Sequence, residues 1–320
     1  MRAVQVVRLD GPAAVEIRDV PEPARGTDQV LVDVKAAGVN FPDVLQSKGL
    51  YQYKPDLPFT LGSEAAGVVR EAPEGSGLRP GDRVATFAGG SAFAEVVAVP
   101  AGNVLPLPDE VGFAAAACLP MNYLTAHFAL LTRGHLRGGQ TVLVHGAAGG
   151  IGTATIQLAA ALGARVVAVV STQEKGDVAR TVGATDVVLA EGFRDTVKQL
   201  LPGGVDMVVD PVGGDRFTDS LRSLAPEGKL LVVGFTAGEI PTVKVNRLLL
   251  NNIDVVGVGW GAFAMRRAGF IHEQWDELLP HVRAGKLDPL ISERFPLEKA
   301  ADALARIDER TVTGKVVLEL

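Results

Sequence analysis

Thr141-Val142-Leu143-Val144-His145 runs into Gly146-Ala147-Ala148-Gly149-Gly150-Ile151-Gly152, and a helical pattern follows, with Ile151, Ala154, Leu158 and Leu162 on one face. The first five residues are a short apolar, β-branched run. A strand, a glycine turn and a helix N-terminus are the parts that a pyrophosphate requires. Backbone N–H groups and the positive end of the helix dipole point at the anion, and missing side chains let it approach. A glycine-rich loop can also serve only to pack a helix on a strand. Here the strand before it and the helix after it both fit, which favours dinucleotide binding.

Outward from this loop the same alternation continues. Strand-like runs at 141–144, 165–170, 186–189, 205–210, 229–234 and 253–258 are separated by helical segments. Such βα units predict a parallel sheet with right-handed crossovers and helices on both faces. Strands buried on both sides should be nearly continuous apolar runs, as Val166-Val167-Ala168-Val169-Val170 is. From the start to about residue 108 the pattern differs. Short β-branched runs at 3–8, 15–20, 30–36, 66–70, 83–87 and 94–99 are punctuated by Gly-Pro, Pro-Glu-Pro and Arg-Pro-Gly-Asp, which predicts a barrel-like all-β unit. The tail is mixed. A helix is expected over 270–283, another from Pro296 with Leu297, Ala300, Leu304 and Ile307 inward, and a closing strand over 315–320. The predicted fold class is therefore α/β: a Rossmann doubly wound parallel sheet in 119–259, inserted into a β-rich domain made of 1–118 and 260–320.

Composition narrows the function. The 320 residues carry 31 Lys and Arg against 37 Asp and Glu, a net charge of −6, which disfavours nucleic acid as the main partner. A 47% hydrophobic content excludes disorder. Cys118 is the single cysteine, so neither an intrachain disulfide nor a cysteine-based zinc lobe can form. Two stretches without charge, 111–132 and 138–164, are long enough for a bilayer. They carry Pro120, Asn122 and His127, or several glycines with Gln140, His145 and Gln157, and do not read as membrane spans. The first residues meet charge at Arg8 and Asp10, unlike a secretory leader, so the expected location is cytoplasmic.

Cofactor preference is read at the end of the second strand of the parallel sheet. An NAD site usually has an acid there for the ribose 2′-OH. This chain has Val169-Val170-Ser171-Thr172, followed by Lys175 and then Arg180. A hydroxyl followed by a cation suits a 2′-phosphate, so NADPH is expected over NADH. Glu174 speaks mildly against this, and Lys175 also reads as an ordinary solvated lysine of a helix surface.

Three segments carry a resemblance: Ala37-Gly38-Val39-Asn40-Phe41-Pro42-Asp43, Leu61-Gly62-Ser63-Glu64-Ala65-Ala66-Gly67, and Ala147-Ala148-Gly149-Gly150-Ile151-Gly152. Gly49-Leu50-Tyr51, Tyr123-Leu124-Thr125-Ala126 and Thr313-Gly314-Lys315-Val316-Val317 support it. Over essentially its whole length the chain resembles the zinc-free quinone oxidoreductase family of the medium-chain dehydrogenase/reductase superfamily. The resemblance implies a GroES-like β-barrel domain around a Rossmann domain, with the cofactor in the cleft. Zinc alcohol dehydrogenases have a cysteine and a His-Glu pair where this chain has Asn40 and Ser63-Glu64. Catalytic zinc needs three strong protein ligands. No metal site is expected, and hydride transfer without a Lewis acid suits quinones and enones better than plain alcohols.

The resemblance also implies contacts. Asn40 and Thr125 lie near the nicotinamide and its ribose. Gly149, Gly150 and Ile151 hold the pyrophosphate, while Ser171 and Lys175 flank the 2′-phosphate. Gly234, Phe235 and Thr236, with Gly257, Val258 and Gly259, approach the nicotinamide end by backbone, and Arg310 reaches the adenosine half. For Asn40, an Asx-type turn before Pro42 is the alternative. Tyr51 is either a proton donor or hydrogen bond to the acceptor carbonyl, as in similar enoyl-thioester reductases, or an aromatic wall of the pocket. The expected function is NADPH-dependent hydride transfer to quinones or other α,β-unsaturated carbonyl compounds. An enoyl-thioester reductase, with Arg247, Arg266 and Arg267 as a basic entrance, and a non-catalytic NADPH-binding protein are the alternatives. Strand 253–258 has one charge, Asp254, and no proline or lysine, so as a sheet edge it invites a homodimer.

Overall fold

The computed structural model describes residues 1–320 and divides them into two compact units. The first comprises Met1–Met121, Ala268–Asp276 and Pro289–Leu320; the second comprises Asn122–Arg267 and Glu277–Asp288.

The first unit starts with β1 (Arg2–Val6), β2 (Val15–Asp19), β3 (Gln29–Val39), the short helix α1 (Phe41–Ser47), β4 (Phe59–Thr60), β5 (Glu64–Glu71), β6 (Arg83–Phe87), β7 (Val96–Pro100) and β8 (Val104–Pro106). Its pivot is β3, whose first half pairs with β7 and whose second half pairs with the last strand of the chain, while β5 lies along its other edge. Irregular register near Lys35 lets one long strand serve these partners. The sheet is a path of strands with β7 branching from β3, and β1, β2 and β4 form a separate three-stranded sheet. Alternation explains the burial. Val30, Val32 and Val34 share a core with Val84, Val97, Phe93, Leu61 and Leu304.

After α2 (Phe113–Ala116) and α3 (Pro120–His127), the second unit runs β9 (Thr141–His145), α4 (Gly150–Ala161), β10 (Arg165–Val170), α5 (Gln173–Thr181), β11 (Asp186–Leu189), α6 (Phe193–Leu200), β12 (Val205–Asp210), α7 (Phe217–Ser223), β13 (Leu224–Val232), α8 (Asn246–Asn251), β14 (Asp254–Gly257) and α9 (Trp260–Ala264). All of its strands are parallel, in the order β11-β10-β9-β12-β13-β14. This is the doubly wound dinucleotide-binding order, with its switch point between β9 and β12. The central strands are buried on both faces, as their unbroken apolar text requires. Then α10 (Phe270–Arg283) leads to β15 (Ile291–Pro296), α11 (Ala300–Asp308) and β16 (Lys315–Glu319), which return to the first unit.

The division differs from the expected limits of 119–259 against 1–118 and 260–320. Residues 260–267 belong to the second unit because Trp260 and Ala264 are buried and the Phe263 ring packs 5.0 Å from Phe128. The end of α10 joins it too, through Glu277 on the buried His127. No helix is long and apolar enough to cross a membrane.

Candidate active site

The glycine loop closes on itself and exposes a helix end. Gly149 N–H donates to Gly146 O at 2.9 Å, and Ala147 N–H reaches toward Val169 O of β10 at 3.4 Å. Gly149 caps α4 with extended backbone and no side-chain cap, so the first N–H groups of a 12-residue helix face outward at Gly150 and Ile151. Gly152 is required for packing: a Cβ there would collide with Gly146 O and lie 2.7 Å from Ala147 Cα. The N-terminus of α4 therefore sits directly on the end of β9, beside the switch point. An uncapped N-terminus with half-buried glycine around it fits a pyrophosphate.

Two buried groups that sequence reasoning does not single out brace this edge. Asp210, at the end of β12, accepts from Val212 N–H at 2.8 Å and Gly213 N–H at 2.9 Å and fixes the turn beyond it. His145, the last residue of β9, lies 2.8 Å from Ser220 Oγ through Nε2. The Ser220 hydroxyl donates to Arg216 O, so His145 Nε2 carries the proton. Burial pushes the imidazole down to about 4 despite the nearby Asp210, so it stays neutral and acts as a prop.

Most of the other expected cofactor residues in this unit follow the C-terminal ends of parallel strands. Ser171 follows β10 and is exposed; Lys175 is half-buried in the first turn of α5. Thr172 caps that helix, its Oγ1 accepting from Lys175 N–H at 3.3 Å. Glu174 stands in the same turn, and the Thr172 hydroxyl holds its carboxyl below the usual range. Arg180 is turned to Asp177 at 2.7 Å. Gly234, Phe235 and Thr236 follow β13, with Thr236 N–H on Pro211 O at 3.1 Å. Gly257 ends β14 and accepts Arg133 Nε at 3.0 Å; Val258 is buried, and Gly259 caps α9. Thr125 is half-buried on α3.

Asn40, Tyr51 and Arg310 belong to the first unit. Arg310 follows α11 with left-handed backbone, φ 57°. Asn40 follows β3 and belongs to a buried polar cluster whose other members are Asp43, Ser63, Glu64 and Lys315. The pairing of Val316 with Val39 brings Lys315 to it. Lys315 Nζ donates to Asn40 Oδ1 at 2.6 Å, Glu64 Oε1 at 2.8 Å and Val39 O at 3.3 Å. Asn40 Nδ2 donates to Glu64 Oε1 at 2.9 Å and Gly38 O at 3.2 Å. A Cβ on Gly38 would collide with Glu64 Oε1 and lie 2.9 Å from its Cδ, so only glycine leaves room for that carboxylate. Asp43 accepts Asn40 N–H at 2.8 Å and Ser63 Oγ–H at 2.8 Å.

Charge in this cluster is balanced by position. Burial works against the Lys315 ammonium, but Glu64, with help from Cys118 and Asp43, outweighs it and holds the group above the usual lysine range. Burial raises the Asp43 carboxyl to about 7 against the pull of Ser63, the Asn40 N–H and Lys315. Cys118, remote in sequence, proves to be an electrostatic neighbour of Lys315 and Glu64, and burial pushes its thiol up to about 12. Tyr51 is half-buried, and burial, then Asp43, raises its phenol above 10.0. It keeps its proton at neutral pH as a hydrogen-bond donor, and is a weaker acid than a free tyrosine. The residues here do not fit a catalytic zinc: Asn40 and Ser63 are neutral oxygen donors already bonded inside the protein, and an ammonium stands where a cation would have to sit.

Residues 26–109 match the family model described as alcohol dehydrogenase GroES-like domain, and residues 150–283 match the one described as zinc-binding dehydrogenase. Quinone oxidoreductase-like protein 2 homolog of Nematostella vectensis is 39% identical over 99% of this chain and 88% of its own length. The chain belongs to the quinone oxidoreductase family. It is thus an oxidoreductase of the medium-chain dehydrogenase/reductase superfamily, with a GroES-like part and a Rossmann part. Among solved structures, a probable oxidoreductase from Mycobacterium abscessus is 46% identical, with TM-score 0.92 and coverage of 100% of this chain and 99% of that one. The quinone oxidoreductase from Thermus thermophilus, also solved as its complex with NADPH, is 35% identical, with TM-score 0.88 and full coverage of both chains.

Lys315, Glu64 and Asp43 are the candidate-site residues that sequence reasoning misses as a group. One signal is available. A lysine inside Lys315-Val316-Val317-Leu318, a strand with no other charge before Glu319, must find a buried partner.

Proposed function

We propose that this quinone oxidoreductase family member transfers hydride from NADPH to quinones or other α,β-unsaturated carbonyl compounds, without a metal. The observation that carries this reading is the uncapped N-terminus of α4 on the C-terminal edge of the parallel sheet at its switch point. The Thermus relative solved with NADPH supports the choice of cofactor. NADPH, when bound, supplies the hydride. Gly150 and Ile151 hold its pyrophosphate by backbone N–H groups, in the turn that Gly149 caps. Ser171 and Lys175 receive the 2′-phosphate, and Arg310 serves the adenosine half. Thr125, the backbones of Gly234, Phe235 and Thr236, and those of Gly257, Val258 and Gly259 position the nicotinamide end, together with Asn40.

Tyr51 donates a hydrogen bond to the acceptor carbonyl. Its raised phenol favours this role over full proton transfer, so solvent supplies the proton that completes the reduced product. The metal-free reading rests on Lys315 and Asp43, which bind the two side chains at the zinc-ligand positions. An enoyl-thioester reductase would use the same tyrosine with Arg247, Arg266 and Arg267 around the entrance, and a non-catalytic NADPH-binding protein would keep only the nucleotide contacts. A panel of quinones, enals, enones and enoyl thioesters, ranked by kcat/KM with NADPH, separates the three. Quinones or enones should lead; enoyl thioesters in front would favour the second reading, and no turnover with any would favour the third.

We also propose a cytoplasmic homodimer. Strand β14 lies at one edge of the six-stranded sheet, and Leu249 and Leu250 of the preceding α8 are 77% and 74% exposed. A two-fold pairing of β14 with its copy would satisfy the edge and cover apolar surface.

A further inference from the structure

Strand β12 lies between β9, which leads into the glycine loop, and β13, which leads into Gly234-Phe235-Thr236. Its last residue, Asp210, is 2% exposed. A single carboxylate oxygen, Oδ1, accepts Val212 N–H at 2.8 Å and Gly213 N–H at 2.9 Å. A carboxylate buried this deeply is tolerated where it satisfies donors. The two bonds hold the turn 211–214, in which Gly213 and Gly214 have positive φ, 66° and 69°.

This turn is packed against both neighbouring loops. Toward the glycine loop it meets Gly146, where a Cβ would lie 3.3 Å from Val212 Cγ2 and 3.5 Å from Pro211 Cγ. Toward the loop after β13, Pro211 O accepts Thr236 N–H at 3.1 Å and Val212 O accepts Ala237 N–H at 2.9 Å. Gly213 is just as close to that loop, since a Cβ on it would lie 3.0 Å from Phe235 Cδ1 and 3.3 Å from Glu239 O. Asp210 therefore acts on both loops through one turn, and all of these residues belong to the second unit.

We propose that Asp210 is a positioning residue for the cofactor, setting through the 211–214 turn the spacing between the glycine loop and residues 234–236. That spacing is the span from pyrophosphate to nicotinamide end, so the proposal rests on the reading of both loops given above. A ligand held at two points suffers when the span no longer matches, whereas a ligand held at only one of them does not. Misplacing a reacting ring by a fraction of its contact distance slows its chemistry even where the rest of the molecule stays bound.

The test uses the native chain, Asp210→Ala and Asp210→Asn, each shown folded by its thermal transition. Two quantities are compared: kcat with NADPH and a quinone, and the Kd of 2′-phospho-ADP-ribose, which carries the pyrophosphate and 2′-phosphate but no nicotinamide. Asp210→Ala removes both acceptor bonds and should lower kcat by roughly tenfold to a hundredfold while the fragment binds as before. Asp210→Asn keeps an oxygen for both N–H groups and should restore most of kcat. An unchanged kcat in Asp210→Ala, or fragment binding that falls as far as kcat, would overturn the spacing role. A loss that Asp210→Asn does not restore would assign the effect to the charge and overturn it as well. If Asp210→Ala does not fold, Gly213→Ala, which forces the same turn against Phe235, takes its place with the same expectation. Absence of turnover in the native chain would remove the proposed reaction and not the spacing. The fluorescence lifetime of bound NADPH then decides: a shift toward that of the free nucleotide in Asp210→Ala, reversed in Asp210→Asn, supports the role, and identical lifetimes in all three proteins contradict it.

Discussion

The Lys315 ammonium meets the Glu64 carboxylate at 2.8 Å, with side chains only 4% and 0% exposed, and neither partner can be removed alone without stranding the other. Lys315→Met should destabilise the protein by about 3–5 kcal/mol, the usual cost of leaving one buried charge unpaired. Adding Glu64→Gln should recover most of that loss. Urea unfolding midpoints of the two variants check it; equal midpoints would mean that Glu64 finds another partner.

Lys175 and Glu174 pull in opposite directions at the start of α5. Lys175→Ala should weaken NADPH by about one to two decades, the worth of roughly 1.5–3 kcal/mol for a charge-assisted bond to phosphate, and leave NADH unchanged. Glu174→Gln should do the reverse and tighten NADPH, because its carboxylate lies in the turn where the 2′-phosphate is expected. Fluorescence titration with both cofactors reads each effect. Equal changes for NADPH and NADH would show that neither side chain senses the 2′-phosphate.

Asp43 makes stability depend on pH. Its carboxyl lies at about 7 in the folded protein against an ordinary value of 3.8, so the folded state binds the proton more tightly than the unfolded chain. The stabilisation from this group is complete below the unfolded value and is lost as pH rises from there through about 7, by roughly 4 kcal/mol at most. Asp43→Asn keeps an acceptor for Asn40 N–H and can donate to Ser63, so it should fold and flatten this slope. Unfolding free energies at pH 5 and pH 8 compare the two proteins; an unchanged slope would place the titration elsewhere.

The proposed dimer rests on β14 at the sheet edge. Light scattering at micromolar concentration should give twice the chain mass of 33.4 kDa, and Val256→Pro should shift the protein towards monomer or aggregate by removing a ladder donor. A native mass near that of one chain would refute the dimer.

Much of the fold was legible because it is written in contiguous residues. Strands Arg165–Val170 and Val205–Asp210 and helix Phe270–Arg283 lie where the apolar periods end. Elsewhere local text misleads. Ile291–Pro296 forms a strand that runs into the proline expected to start a helix, because it pairs with β16 at the sheet edge. Likewise β13 begins at Leu224, across Ala225-Pro226-Glu227-Gly228, which has the composition of a turn. The glycine loop was readable for a physical reason, since close backbone packing leaves no alternative to Gly152. The Asn40 cluster was not. Its bond to Lys315 spans 275 residues and depends on the register of β16 against β3, which no local pattern encodes.

The proposed activity is hydride transfer from NADPH to a conjugated carbonyl without a metal. The most direct measurement is NADPH oxidation with a simple quinone, before and after exhaustive chelation, with metal content determined on the same sample. Turnover should be the same in both states, with metal far below one ion per chain. Turnover that vanishes on chelation and returns with added zinc would contradict the account.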